Sequence, residues 1–300
     1  MEKKVIVKVP ATTANLGPGF DVLGMALNLY NTVVLEEIQG GCHIIDVKGE
    51  GEDLLPRDSS NLAARAVSFL LQRAGYRDSR FKIYLENQIP LMSGLGSSAA
   101  AIIGGLVAAN ALVGNPFSER EILQMAVEIE GHPDNVAAAL LGGVVMVTKD
   151  EESYIYSRLI PKEGLRITAV IPDFSISTTE ARSVLPEKVP LQDAVYNLGR
   201  IALLLTALRE GEWDLLRVAL HDRLHQPYRS QLVPGFTEII ENALENGAYG
   251  AFLSGAGPTV VAFSPPDCDV GGVIAEVFRS NKIRSRVLQL EPCLIGTRIL

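Results

Sequence analysis

The chain has 300 residues, of which 47% are hydrophobic, and its formal net charge is −8 at pH 7. This length allows one large domain or two ordinary domains, each with a sizeable core. The negative charge argues against nucleic acid or an anionic membrane as the main binding partner. A site for a phosphate ligand would therefore have to be built locally, from backbone N–H groups and a metal ion.

The cysteines give no sign of a disulfide framework or a zinc site. Cys42, Cys268 and Cys293 are odd in number, and none pairs with another at C-x-x-C spacing. The N-terminal residues MEKKVIVKVP are charged and then strand-like, unlike a signal peptide. We therefore expect a protein of the reducing cytoplasm.

Residues 87–118 contain no charged side chain, which allows two interpretations. A membrane-spanning helix needs roughly 20 mostly apolar residues, and the stretch is long enough to hold one. The alternative is a buried helix behind a glycine-rich loop. Gly94, Gly96 and the polar Asn110 favour the buried helix, so no membrane partner is expected.

In the first half of the chain, Val- and Ile-rich segments alternate with helical patterns. Strands are predicted at residues 5–9, 32–38, 43–47, 81–86 and 142–148. Helices are predicted at residues 60–75, 97–112 and 118–130. Ser60 is the expected cap of the first helix and Gly75 its end, and Ser118 with Glu121 has the spacing of a capping box. A bent, small-residue loop is predicted at residues 11–21.

The most polar break in the chain lies at residues 149–157, and we place a domain boundary near it. The predicted domains are residues 1–155 and 156–300. In the second, strands are predicted at residues 165–171, 251–253, 259–263 and 286–290, and helices at residues 194–210, 213–220, 237–246 and 269–279. Because strands and helices intermix without a regular βαβ order, the predicted class is α+β.

The string PLMSGLGSSAAA at residues 90–101 is the strongest local signal for a ligand. Gly94 and Gly96 would let the backbone approach a ligand, and a helix begins at Ser97 or Ser98, where its N–H groups suit a phosphate. The alternative is an ordinary serine-capped helix after a flexible turn. The string is neither a Walker loop nor a Rossmann fingerprint, because it lacks their spacing.

A second string, EIEGHPDNVAAALLGG at residues 128–143, gathers polar side chains between apolar runs. These are Glu128, Glu130, His132, Asp134 and Asn135. Such a cluster needs partners, and a carboxylate with a serine hydroxyl and phosphate oxygens would suit Mg²⁺. A solvated turn between helices, with a structural histidine, is the alternative.

Two further loops have simpler explanations when taken alone. In ATTANLGPGFD, residues 11–21, Asn15 and Asp21 offer hydrogen-bonding groups for the ammonium and hydroxyl of an amino acid. Turn chemistry from Asn, Gly and Pro explains the same residues. SGAGPT, residues 254–259, is an ordinary tight turn unless it acts with the other strings.

Together, these strings resemble the superfamily of galactokinase, homoserine kinase, mevalonate kinase and phosphomevalonate kinase, the GHMP kinases. PLMSGLGSSAAA is similar to its phosphate-binding motif and SGAGPT to its C-terminal motif. ATTANLGPGFDVLG, EGHPDNVA and STTEARSVLP (residues 177–186) are similar to the forms found in the homoserine kinase branch. The resemblance runs in order from about residue 5 to residue 265.

The resemblance implies a fold, an activity and partners. The fold would pair an N-terminal domain like ribosomal protein S5 domain 2 with a ferredoxin-like C-terminal domain. The activity would be transfer of the γ-phosphate of ATP, with Mg²⁺, to the hydroxyl of L-homoserine, as a step in threonine biosynthesis. A homodimer is implied as well. The alternatives are a superfamily kinase acting on mevalonate or shikimate, and a non-catalytic ligand sensor that kept the fold.

The resemblance also assigns roles to individual residues. Nucleotide contacts would come from Asn61, near the adenine, and from Pro90, Leu91, Ser93, Gly94, Leu95, Gly96, Ser97, Ser98 and Ala99. Ser98 and Glu130 would hold the metal, with Ser97 and Glu128 left open as alternatives. The substrate would be bound by Asn15, Asp21, His132, Arg182, Arg229 and Gly257. The residues expected to take part in catalysis are Asn135, Thr178 and Arg182.

Three positions depart from patterns in the superfamily. Asn135 stands where several relatives have an aspartate, and Thr12 stands near a position where they have a lysine. Ala138 replaces a proline that is common in the homoserine kinase branch. Since an asparagine cannot act as a general base, we expect catalysis by alignment and charge stabilisation, with the hydroxyl proton passing late to a phosphate oxygen.

Overall fold

The structure is a computed structural model that describes residues 3–38, 40, 43–76 and 80–300, so Cys42 lies outside the described residues. Its strands are β1 (Lys4–Ala14), β2 (Leu23–Ile38), β3 (Ile44–Gly49), β4 (Arg80–Asn87), β5 (Val144–Asp150), β6 (Ser153–Leu159), β7 (Arg166–Pro172), β8 (Gly250–Leu253), β9 (Val260–Ser264), β10 (Ser285–Leu290) and β11 (Arg298–Ile299). Its α-helices are α1 (Leu62–Arg73), α2 (Ser97–Leu112), α3 (Glu119–Glu130), α4 (Pro133–Leu141), α5 (Thr178–Ser183), α6 (Leu191–Glu210), α7 (Leu216–Ala219), α8 (Gln226–Arg229), α9 (Phe236–Glu245) and α10 (Gly271–Ser280).

The larger sheet is built mainly from the first half of the chain. Its order over the described residues is β11-β1-β2-β4-β3, with β5 beside β2 and β6 beside β5. Helices α1 to α4 form one layer, in which α2 and α4 lie against β1 and β2. Gly104 of α2 faces Val33 of β2 so closely that an added Cβ would lie 2.5 Å from a Val33 methyl. Helix α2 therefore packs deep in the core, as the buried-helix interpretation of this segment requires.

The smaller sheet has the antiparallel order β10-β7-β9-β8. Helices α9 and α10 cover one face, and the rings of Phe252 and Phe263 meet edge to face at 5.0 Å on the opposite face. The α+β prediction is confirmed. In the described part of the chain, no helix is long and apolar enough to cross a membrane.

A single boundary in the chain does not separate the two sheets. The predicted division after residue 155 falls inside β6, which belongs to the larger sheet and ends at Leu159. The last strand, β11, returns from the far end of the chain to pair with β1. A division of the chain by sheets would therefore fall after Leu159 and would give the larger sheet its final strand from the C-terminus.

Three local predictions need correction. Strand β1 continues to Ala14 through a register shift after Pro10, so the loop that was expected at residue 11 begins later. The cap of α1 is Asn61, whose side chain accepts from the Ala63 N–H, rather than Ser60. The polar break at residues 149–157 is largely the β5–β6 hairpin, because an edge strand tolerates charged, exposed side chains.

Candidate active site

A cleft of about 260 Å³ lies where loops of both sheets meet, and it gathers most of the residues singled out from the sequence. Fourteen of those expected to touch substrate, nucleotide or metal line it: Asn15, Asp21, Ser93, Gly94, Gly96, Ser97, Ser98, Glu130, His132, Asn135, Thr178, Arg182, Arg229 and Gly257. Five expected nucleotide residues do not line it: Asn61, Pro90, Leu91, Leu95 and Ala99. Residues that were not assigned a role and do line it are Met92, Asp134, Ile176, Ser177, Gly255 and Ala256.

The N-terminus of α2 opens into this cleft. Gly96 caps the helix in the left-handed conformation, with φ of 73°, and offers no side chain to the first N–H groups. The N–H groups of Ser97 and Ser98 have no partner within the helix, because the first turn lacks preceding carbonyls. Together with the positive end of the helix dipole, they form a site that suits a phosphate.

The glycine loop before α2 (residues 93–96) is held against the loop at residues 254–259. The Ser254 hydroxyl donates to the Gly94 carbonyl at 2.7 Å, and the Thr259 N–H donates to the Ser93 carbonyl at 3.2 Å. A side chain at Gly94 would collide with the Ser254 carbonyl. Residues 254–257 form the tight turn, with the Gly257 N–H donating to the Ser254 carbonyl at 2.8 Å, and this turn packs against the glycine loop.

Next to the helix N-terminus, Ser98 and Glu130 form the pair expected to hold a metal. The Ser98 hydroxyl donates to a Glu130 carboxylate oxygen at 2.5 Å. Burial raises the pKa of Glu130, although the hydrogen bond from Ser98 acts the other way. Of the alternatives left open, Glu128 lies outside the cleft and pairs with Arg73 at 2.8 Å, whereas Ser97 lines the cleft beside Ser98.

Asn135 is fixed on both sides by its neighbours. The Thr12 hydroxyl donates to Asn135 Oδ1 at 2.7 Å, and Asn135 Nδ2 donates to Asp134 Oδ1 at 3.2 Å. The backbone N–H of Asn135 donates to the same carboxylate oxygen at 2.7 Å. With Thr12 bonded to Oδ1 and Asp134 accepting one Nδ2 hydrogen, the amide keeps one N–H for a ligand in the cleft.

Asp134 is the most perturbed acid of the site. Its residue is 3% exposed. Burial, followed by the nearby negative charge of Asp21, raises the pKa of Asp134 to about 7. A buried carboxyl of this kind in a cleft is a strong candidate for contact with a cationic ligand group. The sequence showed Asp134 in the polar cluster, but helix α4, which it opens, was not predicted.

Residues 15–21 form a sharply bent loop along the cleft, named here the N15 loop. Asn15, Leu16 and Gly17 have φ of 69°, 46° and 78°, an unfavourable run for Asn and Leu that persists only when surrounding contacts hold it. Asn15 Nδ2 donates to the Gly255 carbonyl at 3.0 Å, and Asn15 Oδ1 accepts from the Asp21 N–H at 3.1 Å. The loop is therefore tied to the smaller sheet's side of the cleft.

Two arginines from the second half of the chain lie beside the N15 loop. Arg182 Nη2 donates to Asp21 Oδ1 at 2.6 Å, and both side chains are about one-third exposed. Arg182 Nε is buried and has no hydrogen-bond partner among the described residues. A buried guanidinium donor without an acceptor is costly, so a hydrogen bond from Arg182 Nε to an anionic group of a ligand would be favourable.

Arg229 is more deeply placed, with 2% exposure. Its Nε donates to the Ala181 carbonyl and its Nη1 to the Gly255 carbonyl, both at 3.0 Å. Burial and the positive charge of Arg182 lower the pKa of Arg229 to about 10, which leaves it charged near neutral pH. Burial and Arg182 also lower the pKa of His132, which favours its neutral form.

The expected residues outside the lining of the cleft have contacts within the protein. Asn61 is buried, caps α1 and donates to the Pro56 carbonyl at 2.9 Å. The Pro90 carbonyl accepts from the Ser93 hydroxyl at 2.9 Å, and the Leu95 carbonyl accepts from the Thr12 N–H at 3.1 Å. The Pro90 and Leu95 contacts hold the glycine loop in place, and contact of any of these residues with a nucleotide stays a prediction.

Comparison with known proteins identifies the family. Residues 61–143 match the model of the GHMP kinases N terminal domain, and residues 204–282 match that of the GHMP kinases C terminal domain. Homoserine kinase from Caldanaerobacter subterraneus is 48% identical over 99% of this chain and 95% of its own length. Homoserine kinase from Carboxydothermus hydrogenoformans is 44% identical over 96% of this chain and 94% of its own length.

Solved structures agree with these sequence relatives. The crystal structure of homoserine kinase from Cytophaga hutchinsonii superposes with a TM-score of 0.89 at 31% identity, covering 100% of this chain and 98% of that one. L. major mevalonate kinase in complex with R-mevalonate has a TM-score of 0.68 at 17% identity over 97% of this chain and 96% of that one, a likeness of fold alone. The chain therefore belongs to the GHMP kinase superfamily and, within it, to the homoserine kinase family.

Proposed function

We propose that this protein transfers the γ-phosphate of ATP to the hydroxyl of L-homoserine, giving O-phospho-L-homoserine and ADP. One observation carries the proposal. A single cleft joins an uncapped helix N-terminus, suited to phosphate, with two arginines and two buried or half-buried aspartates, suited to a zwitterionic amino acid. The homoserine kinases that the chain resembles over nearly its full length support the same substrate.

The nucleotide phosphates would lie against the N–H groups of Ser97 and Ser98. The residues beside them fit Mg²⁺, because Glu130 and the Ser98 hydroxyl are hard oxygen ligands 2.5 Å apart. No group of three or more acidic, His or Cys side chains in the described residues could hold a metal alone, so phosphate oxygens and water would complete the shell. Bound there, Mg²⁺ would neutralise charge on the phosphates.

The amino acid would replace an ion pair within the protein. Arg182 and Asp21 are now bound to each other, and each matches one charged end of the substrate. The carboxylate of homoserine would pair with Arg182 and Arg229, and its ammonium with Asp21 and Asp134. Asn15, His132, Thr178 and Gly257 line the remaining wall, where the side chain and its hydroxyl would lie.

Catalysis would rest on alignment and charge. The hydroxyl oxygen forms a bond to the γ-phosphorus while the bond to the β-phosphate oxygen breaks, ADP leaves, and the proton passes to a transferred phosphate oxygen. Asn135, held by Thr12, would donate an N–H to the attacking or transferred oxygen and cannot remove a proton. Asp134 would serve as a charge partner of the ammonium rather than as a base.

The setting of the reaction is also a proposal. We place it in the cytoplasm, since Cys268 and Cys293 are free thiols. Its place as a step of threonine biosynthesis rests on the family resemblance. The homodimer rests on the family resemblance alone, and light scattering of the purified protein would measure it.

We expect Arg182→Leu to lower kcat/KM for L-homoserine by about 100-fold or more, because a substrate carboxylate loses a charged partner in a partly buried site. The KM for ATP should change little. Arg284→Leu is the matched control, since Arg284 also pairs with an aspartate at 2.6 Å but is exposed and lies outside the cleft. Equal losses in the two variants would contradict the role of Arg182.

We expect Glu130→Gln to raise the Mg²⁺ concentration needed for half-maximal rate by about tenfold or more, because a neutral amide is a weaker ligand for a hard cation. Steady-state rates over a Mg²⁺ titration would measure this. Glu128→Gln is the control, because Glu128 is two residues away and pairs with Arg73 outside the cleft. A normal Mg²⁺ requirement in Glu130→Gln would remove Glu130 from the metal site.

The proposed function is tested by incubating the protein with Mg·ATP and L-homoserine and following the products by ³¹P NMR. Appearance of a phosphomonoester together with ADP, dependent on L-homoserine, supports it. ATP that stays intact in the presence of L-homoserine, with a folded protein, would contradict it.

A further inference from the structure

Behind the cleft lies a buried polar cluster of Asp222, His225 and Asn197, which the proposed mechanism does not use and which contacts Arg229 of the cleft. The side chains of Asp222 and His225 are both completely buried. Buried titratable groups are costly unless they are well paired, so their arrangement calls for an explanation.

Asp222 is held by its own chain segment. One carboxylate oxygen accepts from the N–H groups of His225 and Gln226 at 2.9 and 2.6 Å, and the other accepts from the Leu224 N–H and Asn197 Nδ2 at 2.8 and 2.7 Å. Asn197 Nδ2 also donates to the Pro18 carbonyl of the N15 loop at 2.9 Å. Asp222 thus fixes the start of α8, from which both His225 and Arg229 project.

The contacts of His225 define its tautomer. Its Nε2 lies 2.7 Å from the Gly17 carbonyl, which can only accept, so Nε2 carries the hydrogen. Its Nδ1 lies 3.4 Å from Arg229 Nη1, which can only donate, so Nδ1 is the acceptor. Asp222 Oδ2 also lies 3.5 Å from Nε2, but burial outweighs this negative charge and lowers the pKa of His225. The imidazole is therefore neutral and bridges the N15 loop to Arg229. Protonation of Nδ1 would turn its contact with Arg229 into a repulsion.

The bridge acts on both halves of the cleft's amino-acid site. On one side it holds Gly17, in the loop that carries Asn15 and Asp21, and its ring stacks on Phe20 with centroids 5.3 Å apart. On the other side it engages Arg229 Nη1, which also donates to the Gly255 carbonyl. The same Gly255 carbonyl accepts from Asn15 Nδ2, so the loop and the arginine share two fixed links.

We propose that His225 is a positioning residue for the amino-acid substrate, whose neutral, bridging imidazole sets the spacing between Arg229 and the N15 loop. It touches no reacting atom, and its role rests on the proposed function. The carboxylate and the ammonium of the substrate are separated by a fixed distance, so the protein groups that bind them must be held at a matching distance. A loss of the bridge would leave each partner intact but misplaced, which weakens substrate binding more than it alters the phosphate site.

The test compares variants of the full-length protein in steady-state kinetics. His225→Phe removes both hydrogen bonds while it keeps a side chain of similar size. His225→Gln can keep a donor for the Gly17 carbonyl, and His225→Asn can keep an acceptor for Arg229. We expect His225→Phe to raise the KM for L-homoserine about tenfold or more, equivalent to about 1.4 kcal/mol, with the KM for ATP within about twofold and kcat reduced less than the KM is raised. The Gln and Asn variants should each recover part of the loss.

His221→Phe is the control, because this histidine lies in the same segment but is exposed, whereas His225 is completely buried. A wild-type KM for L-homoserine in a folded His225→Phe, or equal rises in both KM values, would overturn the positioning role. If His225→Phe does not fold, wild-type KM values in both the Gln and Asn variants overturn it. If the wild-type protein itself does not turn over L-homoserine, the proposed function is contradicted instead.

Discussion

Replacement of Asp134 by asparagine should lower kcat/KM for L-homoserine by about 100-fold or more while the folded protein becomes more heat-stable at pH 8. The loss of activity follows from removal of a buried negative charge that would pair with the substrate ammonium. The gain in stability follows because the same charge is buried near Asp21 and Glu130, and the positive charge of Arg182 offsets only part of this cost. Activity assays and thermal unfolding would measure the two effects.

The stability effect should depend on pH in a defined direction. The folded-state pKa of Asp134 is raised from 3.8 to about 7, so between these values the folded protein binds more protons at this site than the unfolded chain. The free energy of unfolding therefore falls as the pH rises through that window, and the destabilisation by ionised Asp134 reaches its full size above about pH 7. Asp134→Asn removes the cost, so its Tm advantage of several degrees should be largest at pH 8 and should disappear near pH 4.

The pH dependence of the rate distinguishes two roles for Asp134, a charge partner of the substrate ammonium and a general base. In the free wild-type enzyme, kcat/KM for L-homoserine should fall below about pH 7 as Asp134 becomes protonated. In the bound complex, the ammonium would lower the pKa of Asp134, so kcat should stay level between pH 6 and 8. A kcat that falls with an apparent pKa near 7 would identify a general base and contradict the mechanism. Asp46→Asn, at an exposed ion pair with Arg57, is the control.

Replacement of Gly96 by alanine should cause the second large effect, a fall of about 100-fold or more in kcat/KM for ATP. Gly96 has φ of 73°, where alanine is strained, and an added Cβ would overlap the Thr12 hydroxyl and lie 3.3 Å from Asn135 Oδ1. The glycine loop would have to shift, and the N–H groups at the start of α2 would move with it. The position of Asn135 would change at the same time.

Gly131→Ala separates backbone strain from collision. Gly131 also has a left-handed φ, of 87°, but an added Cβ there would meet nothing within 4 Å. We expect Gly131→Ala to lower the Tm modestly and to keep the KM for ATP near the wild-type value. If Gly96→Ala binds ATP as well as Gly131→Ala does, the α2 N-terminus is not the phosphate site.

Local signals explain which parts of the fold were predictable. Helix α2 begins at Ser97 and ends at Leu112 as predicted, and the capping box of Ser118 and Glu121 is present. Both depend on a few adjacent residues with strong preferences. Helix α4 was not predicted, because its polar first residues after His132 look like a turn. Strand β11 pairs with residues almost 300 positions away, which no local pattern indicates.

The candidate site shows the same division between local and long-range information. The glycine loop and the cluster around Asn135 were visible as strings, and the cleft brings them together. The family resemblance, rather than periodicity, pointed to Arg182 and Arg229. The role of Asp134 depends on its burial and on charges from other elements, which appear only in the folded chain. The bridge from His225 to Gly17 likewise joins residues 208 positions apart.

The most direct test of the central claim is an ADP-release assay with Mg·ATP and four acceptors: L-homoserine, mevalonate, shikimate and galactose. The account predicts turnover on L-homoserine alone, and loss of that turnover in Arg182→Leu. Turnover only on another acceptor would keep the fold and the phosphate site but contradict the assignments of Asp21, Asp134, Arg182 and Arg229 as ligands of an amino acid. ATP binding without turnover on any of the four would mean that the protein is a ligand sensor rather than this kinase.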